Sequence, residues 1–371
     1  MTHKTKECEL FFTGGKTFAQ ILVDWQKRHG RHNLPWQNTH DPYRIWLSEI
    51  MLQQTQVSTV IPYYQRFLER FPTVQDLARA DLDEVLQYWS GLGYYSRARH
   101  LHRCAQMVVS QYRGNFPTEP TALAELPGIG LSTAAAIAVF SAGKKAAILD
   151  GNVIRVLSRV FAVTEHAATA EGKRQFWRLA HKFLPDIDIE SYTQGLMDLG
   201  ATLCTRTNPR CLDCPFRGKC QAQRLDLIHS LPAKKVKRVM PLKETIMVAI
   251  QSKDLILLGK RPVKGIWGGL YSLPECPVMA DSDIIKVATE KALTFGEVKG
   301  SRLLPSFNHQ FTHFRLKIIP VSVAVSLPFG NLPEGHLWAK REEALALGLP
   351  APVRSLIVEL MDDGYSVGSS R

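Results

Sequence analysis

The sequence predicts a multidomain chain in which an all-α domain comes first and an α+β domain follows. Three observations carry that expectation. The length, 371 residues, suggests about two domains. Up to Leu203 apolar residues recur at three- and four-residue intervals, whereas from Glu244 they alternate with polar ones. Between the two regimes runs a basic, poorly periodic segment, Ala233-Lys234-Lys235-Val236-Lys237-Arg238, set between Pro232 and Pro241. We therefore expect an N-terminal extension over 1–17, a helical domain over 18–224, a basic linker over 225–243 and a second domain over 244–371.

Composition bounds the partner. A formal net charge of +12 favours a polyanion over an acidic small molecule, and both nucleic acid and an anionic membrane would satisfy it. No apolar run reaches the ~18 residues of a membrane-spanning helix, which moves the weight to nucleic acid. The start of the chain mixes Lys4, Lys6, Glu7 and Glu9 ahead of Leu10-Phe11-Phe12, too mixed for a signal peptide. Of seven cysteines, four cluster and three (Cys8, Cys104, Cys276) are scattered, as expected in a reducing, cytoplasmic setting.

Taken in order, Phe18–His29 reads as an amphipathic helix with Phe18, Ile21, Leu22 and Trp25 on one side. Asp41-Pro42 then supplies an N-cap and a first-turn proline for a helix over 43–54. Glu49 lies four residues from Ile45 and three from Trp46, beside or within the apolar stripe. A carboxyl in apolar surroundings has a raised pKa and serves as a proton donor near neutrality. Helix geometry alone favours a half-exposed glutamate at the stripe's edge. Gln53, four residues on, points the same way. A helix over 56–71 restarts or kinks at Pro62, and a short amphipathic helix covers 82–89. Gly91-Leu92-Gly93-Tyr94-Tyr95 is a loop leading into a helix rich in Arg97, Arg99 and Arg103. Its tyrosines suit core filling or a base-stacking wedge beside phosphates.

Leu126-Pro127-Gly128-Ile129-Gly130 is a tight turn whose free amides open the helix that begins at Ser132-Thr133, an arrangement able to hold one phosphate. Gly143 ends that helix, and Asp150 stands at the mouth of the next, over 152–161, as an N-cap at least. Further helices are expected over 173–183 and 192–203. Cys204, Cys211, Cys214 and Cys220 follow in the pattern C-x6-C-x2-C-x5-C, whose four thiolates suit zinc or an iron–sulfur cluster equally. In the second domain, strands are expected over 245–251, 255–259 and 314–325, with helices over 284–293, 341–347 and 353–360.

Three of these stretches resemble one family. Trp46-Leu47-Ser48-Glu49-Ile50-Met51-Leu52-Gln53-Gln54-Thr55-Gln56-Val57 is similar to the signature of adenine DNA glycosylases of the MutY type. Gly91-Leu92-Gly93-Tyr94-Tyr95-Ser96-Arg97-Ala98-Arg99 resembles the same family. The span 126–155 resembles the helix-hairpin-helix and catalytic aspartate of the superfamily that includes endonuclease III. The resemblance implies a six-helix part over about 36–147 and an iron–sulfur part from 18–35 plus 148–224. It assigns a [4Fe–4S] cluster to the four cysteines. Gly265-Ile266-Trp267-Gly268-Gly269-Leu270 resembles the entry to a Nudix-type fold. Leu293 and Thr294, however, stand where paired metal-binding glutamates would be, so nucleotide hydrolysis is not expected.

The implied activity is removal of adenine mispaired with 8-oxoguanine or guanine in duplex DNA, by a monomer that needs no membrane and works in the cytoplasm on the nucleoid. Glu49 would protonate the flipped base, Asp150 would stabilise the cationic sugar and Asn152 would orient groups there. Gln53, Gln54 and Tyr94 would fill the gap left by the base; Gly128, Gly130 and Ser132, with Arg206 and Arg210, would lie along the DNA backbone. Phe311-Thr312-His313 would read the lesion, with Thr312 replacing the family's usual serine. The bifunctional relatives' lysine is Ser132 here, and Ile154 stands where some MutY relatives have another lysine, so a monofunctional enzyme is expected. A thymine-specific glycosylase and a redox-responsive DNA-binding protein are the rival readings.

Overall fold

The computed structural model describes residues 16–234, 239–279, 283–326 and 331–362. Most of the expected extension over 1–17, including Cys8, lies outside the described residues, as does the 235–238 part of the basic linker. The chain divides into two compact units, Met1–Ala78 with Arg103–Lys237 and Arg79–His102 with Arg238–Arg371.

The helices of the first part of the chain are α1 (Phe18–His29), α2 (Pro42–Leu52), α3 (Val57–Arg70), α4 (Val74–Arg79), α5 (Leu82–Trp89), α6 (Ser96–Tyr112), α7 (Pro120–Ala124), α8 (Leu131–Ala142), α9 (Gly151–Val160), α10 (Ala170–Lys182), α11 (Ile189–Thr202) and α12 (Gln221–Arg224). α5 and the start of α6 belong to the second unit. α1 has the expected bounds because Thr17 and Gln20 close a capping box at its start. Its apolar face packs Phe18 onto Phe216, with ring centroids 4.7 Å apart, and onto Phe161 at 5.4 Å.

α2 begins as expected, with the Asp41 carboxylate accepting the Tyr43 N–H. It stops at Leu52, short of the expected 54. Gln53 leaves helical geometry and Gln54 takes φ +58°, closed by a turn in which Thr55 N–H donates to Leu52 O at 3.2 Å. The stop is tertiary, since the Gln53 amide turns away to meet the Gly128–Thr133 hairpin. α3 continues through Pro62 as one helix rather than restarting.

The second unit is built on a mixed sheet. Its elements are β1 (Leu242–Ser252), β2 (Leu255–Lys260), β3 (Tyr271–Ser272), β4 (Glu275–Pro277), α13 (Ile284–Ala292), β5 (Glu297–Leu303), β6 (Phe307–Gln310), β7 (Arg315–Ser326), β8 (His336–Lys340), α14 (Arg341–Ala346) and α15 (Ala351–Asp362). Among the described residues the strand order is β3-β2-β1-β7-β5, with β4 beside β1, β6 beside β7 and β8 beside β2. β1 and β7 run parallel, from Leu242 opposite Arg315 to Gln251 opposite Ala324. β1 is central because Ile246, Met247, Val248, Ala249 and Ile250 are buried on both faces, which suits a strand covered from two sides. Ala288 and Ala292 of α13 pack with Ile246, Val248, Val321 and Val323 on one face. The expected all-α then α+β order is what the structure shows.

Candidate active site and cysteine cluster

Glu49 borders a cavity of about 390 Å³. Ser48 and Leu52 of α2, Arg31 and Trp36 of the loop between α1 and α2, and Gln194 and Met197 of α11 also line it. Burial pushes the Glu49 carboxyl up to about 8, and the negative charge of Asp150 pushes in the same direction. The Arg31 guanidinium in the same cavity wall is held by Asp198, which is fully buried, through an ion pair at 2.7 Å.

Asp150 is the N-cap of α9, accepting the Val153 N–H at 2.7 Å and the Asn152 side-chain N–H at 3.2 Å. Burial raises its pKa, and those two bonds oppose the rise by favouring the ionised form. The expected capping role and a catalytic role are thus compatible, because the cap fixes the carboxylate. Asn152 is itself fixed by Arg155, whose Nη2 donates to Asn152 Oδ1 at 2.7 Å. The same guanidinium donates to Gly200 O at 2.7 Å and Cys204 O at 2.6 Å. Sequence reasoning missed Arg155, since the partners that tie it to α11 and the cysteine loop are main-chain carbonyls at positions 200 and 204 that carry no side-chain signal.

Gly200 makes this packing possible. A Cβ built there would lie 2.5 Å from Asn152 Cβ, so α11 and α9 meet only with glycine at that point. Gly200→Ala is expected to cost ~1–3 kcal/mol by overpacking, read as a lower denaturation midpoint, and to displace Asn152 from Asp150.

The hairpin behaves as its residues require. Gly128 takes φ +81°, a conformation that disfavours a β-carbon, and Gly130 is the N-cap of α8. Gln53 Nε2 reaches Gly128 O at 3.5 Å and Thr133 Oγ1 at 3.3 Å. Gln54 is exposed. The Ser132 hydroxyl accepts the Leu149 N–H at 2.9 Å, fastening the first turn of α8 to the residue before Asp150. Glu49, Asp150, Asn152, Gln53, Gln54, Gly128, Gly130 and Ser132 all belong to the first unit, whereas Tyr94 and Phe311-Thr312-His313 belong to the second.

Tyr94 is 46% exposed at φ +49°. Phe311 is half-buried, stacked on Phe314 at 4.7 Å and tilted against Trp267 at 5.2 Å, while Thr312 and His313 are exposed between β6 and β7. α13 carries a single acidic residue, Glu290, ahead of Leu293 and Thr294.

Cys204, Cys211, Cys214 and Cys220 line one small cavity with Leu199, Leu203 and Arg159. Among the described residues no group of three or more His, Cys, Asp or Glu side chains is assembled as a metal site. Burial pushes the Cys214 thiol up to about 12, and the other three cysteines push it the same way. Arg159, 1% exposed, donates to Cys204 Sγ at 3.4 Å, Thr205 O at 2.7 Å and Leu231 O at 3.0 Å. Four soft sulfur donors around one cavity, with a buried cation beside them, fit a group that carries thiolates. Arg206 and Arg210 are exposed at this loop, and Arg210 donates to Thr202 O at 3.3 Å.

Residues 47–182 match the family described as HhH-GPD superfamily base excision DNA repair protein, and residues 245–359 match the NUDIX domain. The adenine DNA glycosylase of Buchnera aphidicola subsp. Schizaphis graminum (strain Sg) is 36% identical over 342 residues, spanning 92% of this chain and 97% of its own. The adenine DNA glycosylase of Homo sapiens is 30% identical over 95% of this chain and 76% of its own. Among solved structures, a thermostable thymine-DNA glycosylase superposes with a TM-score of 0.52 at 28% identity, over 60% of this chain and 97% of that one. No described helix is long and apolar enough to cross a membrane. Because the likeness to these relatives runs through both units, the chain belongs to the adenine DNA glycosylase family of base-excision DNA repair enzymes.

Proposed function

We propose that this enzyme hydrolyses the N-glycosidic bond of adenine mispaired with 8-oxoguanine or guanine in duplex DNA. One observation carries the reading: a carboxyl pushed up to about 8 borders a cavity of about 390 Å³ and feels the charge of a second, capped carboxylate. A volume of that order suits a single small-molecule group, here a base extruded from the stack. Glu49 donates its proton to adenine N7. The C1′–N9 bond then breaks, its electron pair leaves with the base, and the N7 proton neutralises the charge. Asp150, ionised and held by Val153 and Asn152, faces the cationic sugar. Glu49, now a carboxylate, takes a proton from water as the water adds to C1′.

Gln53, Gln54 and Tyr94 support the space vacated by the base, and Gly128 and Gly130 offer main-chain amides to a phosphate. Arg206 and Arg210 add exposed positive charge. Phe311-Thr312-His313 reads the base opposite adenine. The Nudix-like unit binds rather than hydrolyses, because α13 lacks the acids a metal would need. Ser132 gives no amine nucleophile and its hydroxyl is engaged with Leu149, which supports a monofunctional enzyme. Cys204, Cys211, Cys214 and Cys220 would hold a [4Fe–4S] cluster, whose contribution when bound is a covalent anchor for the 204–220 loop. Arg159 would balance its negative charge, and Arg155 holds Cys204 O on the same guanidinium that holds Asn152.

The test is chromatographic identification of the base released from duplexes carrying A:8-oxoguanine, A:G and T:G. Adenine from the first two is expected; thymine from the third would overturn the substrate assignment. Metal analysis of the purified protein should find iron and acid-labile sulfide in equal amounts, and zinc in their place would overturn the cluster.

A further inference from the structure

The loop that bears Tyr94 is tied at several points to the sheet-containing part of the second unit. Leu349 O accepts from Ser90 Oγ at 3.0 Å and from Tyr95 Oη at 3.2 Å. Gly348 lies against α5, where a Cβ would stand 3.3 Å from Leu86 Cβ. Arg99 Nη1 donates to Gly268 O at 2.7 Å. Gly268 follows Trp267, and the Trp267 ring packs 5.2 Å from Phe311.

The loop itself is internally bonded. Trp89 Nε1 donates to Gly93 O at 3.1 Å, Arg97 Nη2 donates to the same oxygen at 3.1 Å, and the Arg97 guanidinium lies 5.5 Å from the Tyr94 ring centroid. A left-handed φ at a tyrosine is held against its own cost by such surroundings. Tyr94 is thereby presented by the same body that carries residues 311–313.

We propose that Ser90, Tyr95 and Arg99 are positioning residues that couple the Tyr94 wedge to the lesion-reading loop, so that contact at Phe311-Thr312-His313 sets how the wedge enters the stack. The proposal rests on the readings of Tyr94 as a wedge and of 311–313 as the recognition loop. One short link joins the elements, from the Phe311 ring through Trp267 and Gly268 O to Arg99. A second set of bonds, from Leu349 O to Ser90 and Tyr95 on either side of the wedge, braces it against the segment before α15, whose Gly348 O accepts the Tyr271 N–H at 3.0 Å. Lesion preference would then arise from wedge placement as well as from contacts to the lesion. A coupling of this kind is established by non-additivity, not by adjacency.

The experiment compares single-turnover adenine release from A:8-oxoguanine and A:G duplexes for the full-length wild type, Arg99→Met, the double variant Ser90→Ala/Tyr95→Phe, Thr312→Ala, and their combinations. Loss of one or two buried hydrogen bonds is expected to lower the 8-oxoguanine-to-guanine rate ratio by about tenfold, with the A:G rate held within about twofold. Combination with Thr312→Ala should add little further loss, because both changes break the same coupling. A merely structural role predicts that both rates fall in proportion with the ratio unchanged, and that result would overturn the proposal. If Phe311→Ala and Thr312→Ala each leave the wild-type ratio intact, the recognition-loop reading itself is wrong and the proposal falls with it. If Tyr94→Ala leaves both rates at wild-type values, the wedge reading is wrong, with the same consequence.

Discussion

Glu49→Gln is expected to lower adenine release by about 10²–10⁴-fold, the range for removing a general acid that also activates water. The change keeps the side chain's shape, so mismatch binding should persist while turnover is lost. The pH dependence follows from the same group. An acid that must be protonated works below its pKa, so the wild-type rate should decline as pH rises above about 8. Stability carries the opposite mark. The folded pKa, about 8, exceeds the ordinary 4.5, so the native state keeps a proton that the unfolded chain has lost. The cost is absent below pH 4.5, grows as pH rises to 8 and is complete above it. Glu49→Gln should therefore stabilise the protein by on the order of 4 kcal/mol above that window and by almost nothing below it. Urea denaturation at pH 4 and at pH 8.5 checks this, and equal effects at the two values would contradict a raised carboxyl.

Asp150→Asn separates charge from cap. The amide oxygen can still accept the Val153 N–H, which the carboxylate takes at 2.7 Å, so the start of α9 should hold. What disappears is the negative charge that the proposed mechanism sets against the sugar. Losing one preorganised electrostatic group is expected to lower the single-turnover rate by about 10²–10³-fold. Duplex affinity should be retained or rise, because the variant removes an anion from a DNA-facing site. Asp150→Ala would additionally remove the cap and cost ~1 kcal/mol of stability. A rate loss in the asparagine variant no larger than its loss of stability would mean that Asp150 is a cap alone.

Asp150 was legible because a local rule exposes it, whereas Glu49 was marked by the resemblance alone, since helix geometry favoured a half-exposed side chain and the structure leaves it half-buried. Asp150 sits where an Asp-Gly-Asn start must place a cap, and α1 and α5 have their expected bounds because their apolar faces and flanking residues agree. The end of α2 was not legible, since Gln53 is drawn off by the Gly128 carbonyl and Thr133, which lie 75 and 80 residues away. Arg155 and Arg159 escaped for a related reason: most of their partners are distant carbonyls, which no side-chain pattern announces. β5 reads as polar because it is largely exposed, and only pairing with β7 makes it a strand. Sequence pattern thus marks groups whose role is local and stays silent where a main-chain atom from elsewhere decides.

The central claim is that Glu49 is the acid of a monofunctional adenine glycosylase. Its most direct test is cleavage of an end-labelled duplex containing A opposite 8-oxoguanine, with and without heat and alkali, for wild type and Glu49→Gln. Strand breaks that arise only after alkali in the wild type, and fall to background in the variant, are the predicted result. Breaks without alkali, or undiminished breaks in Glu49→Gln, would contradict it.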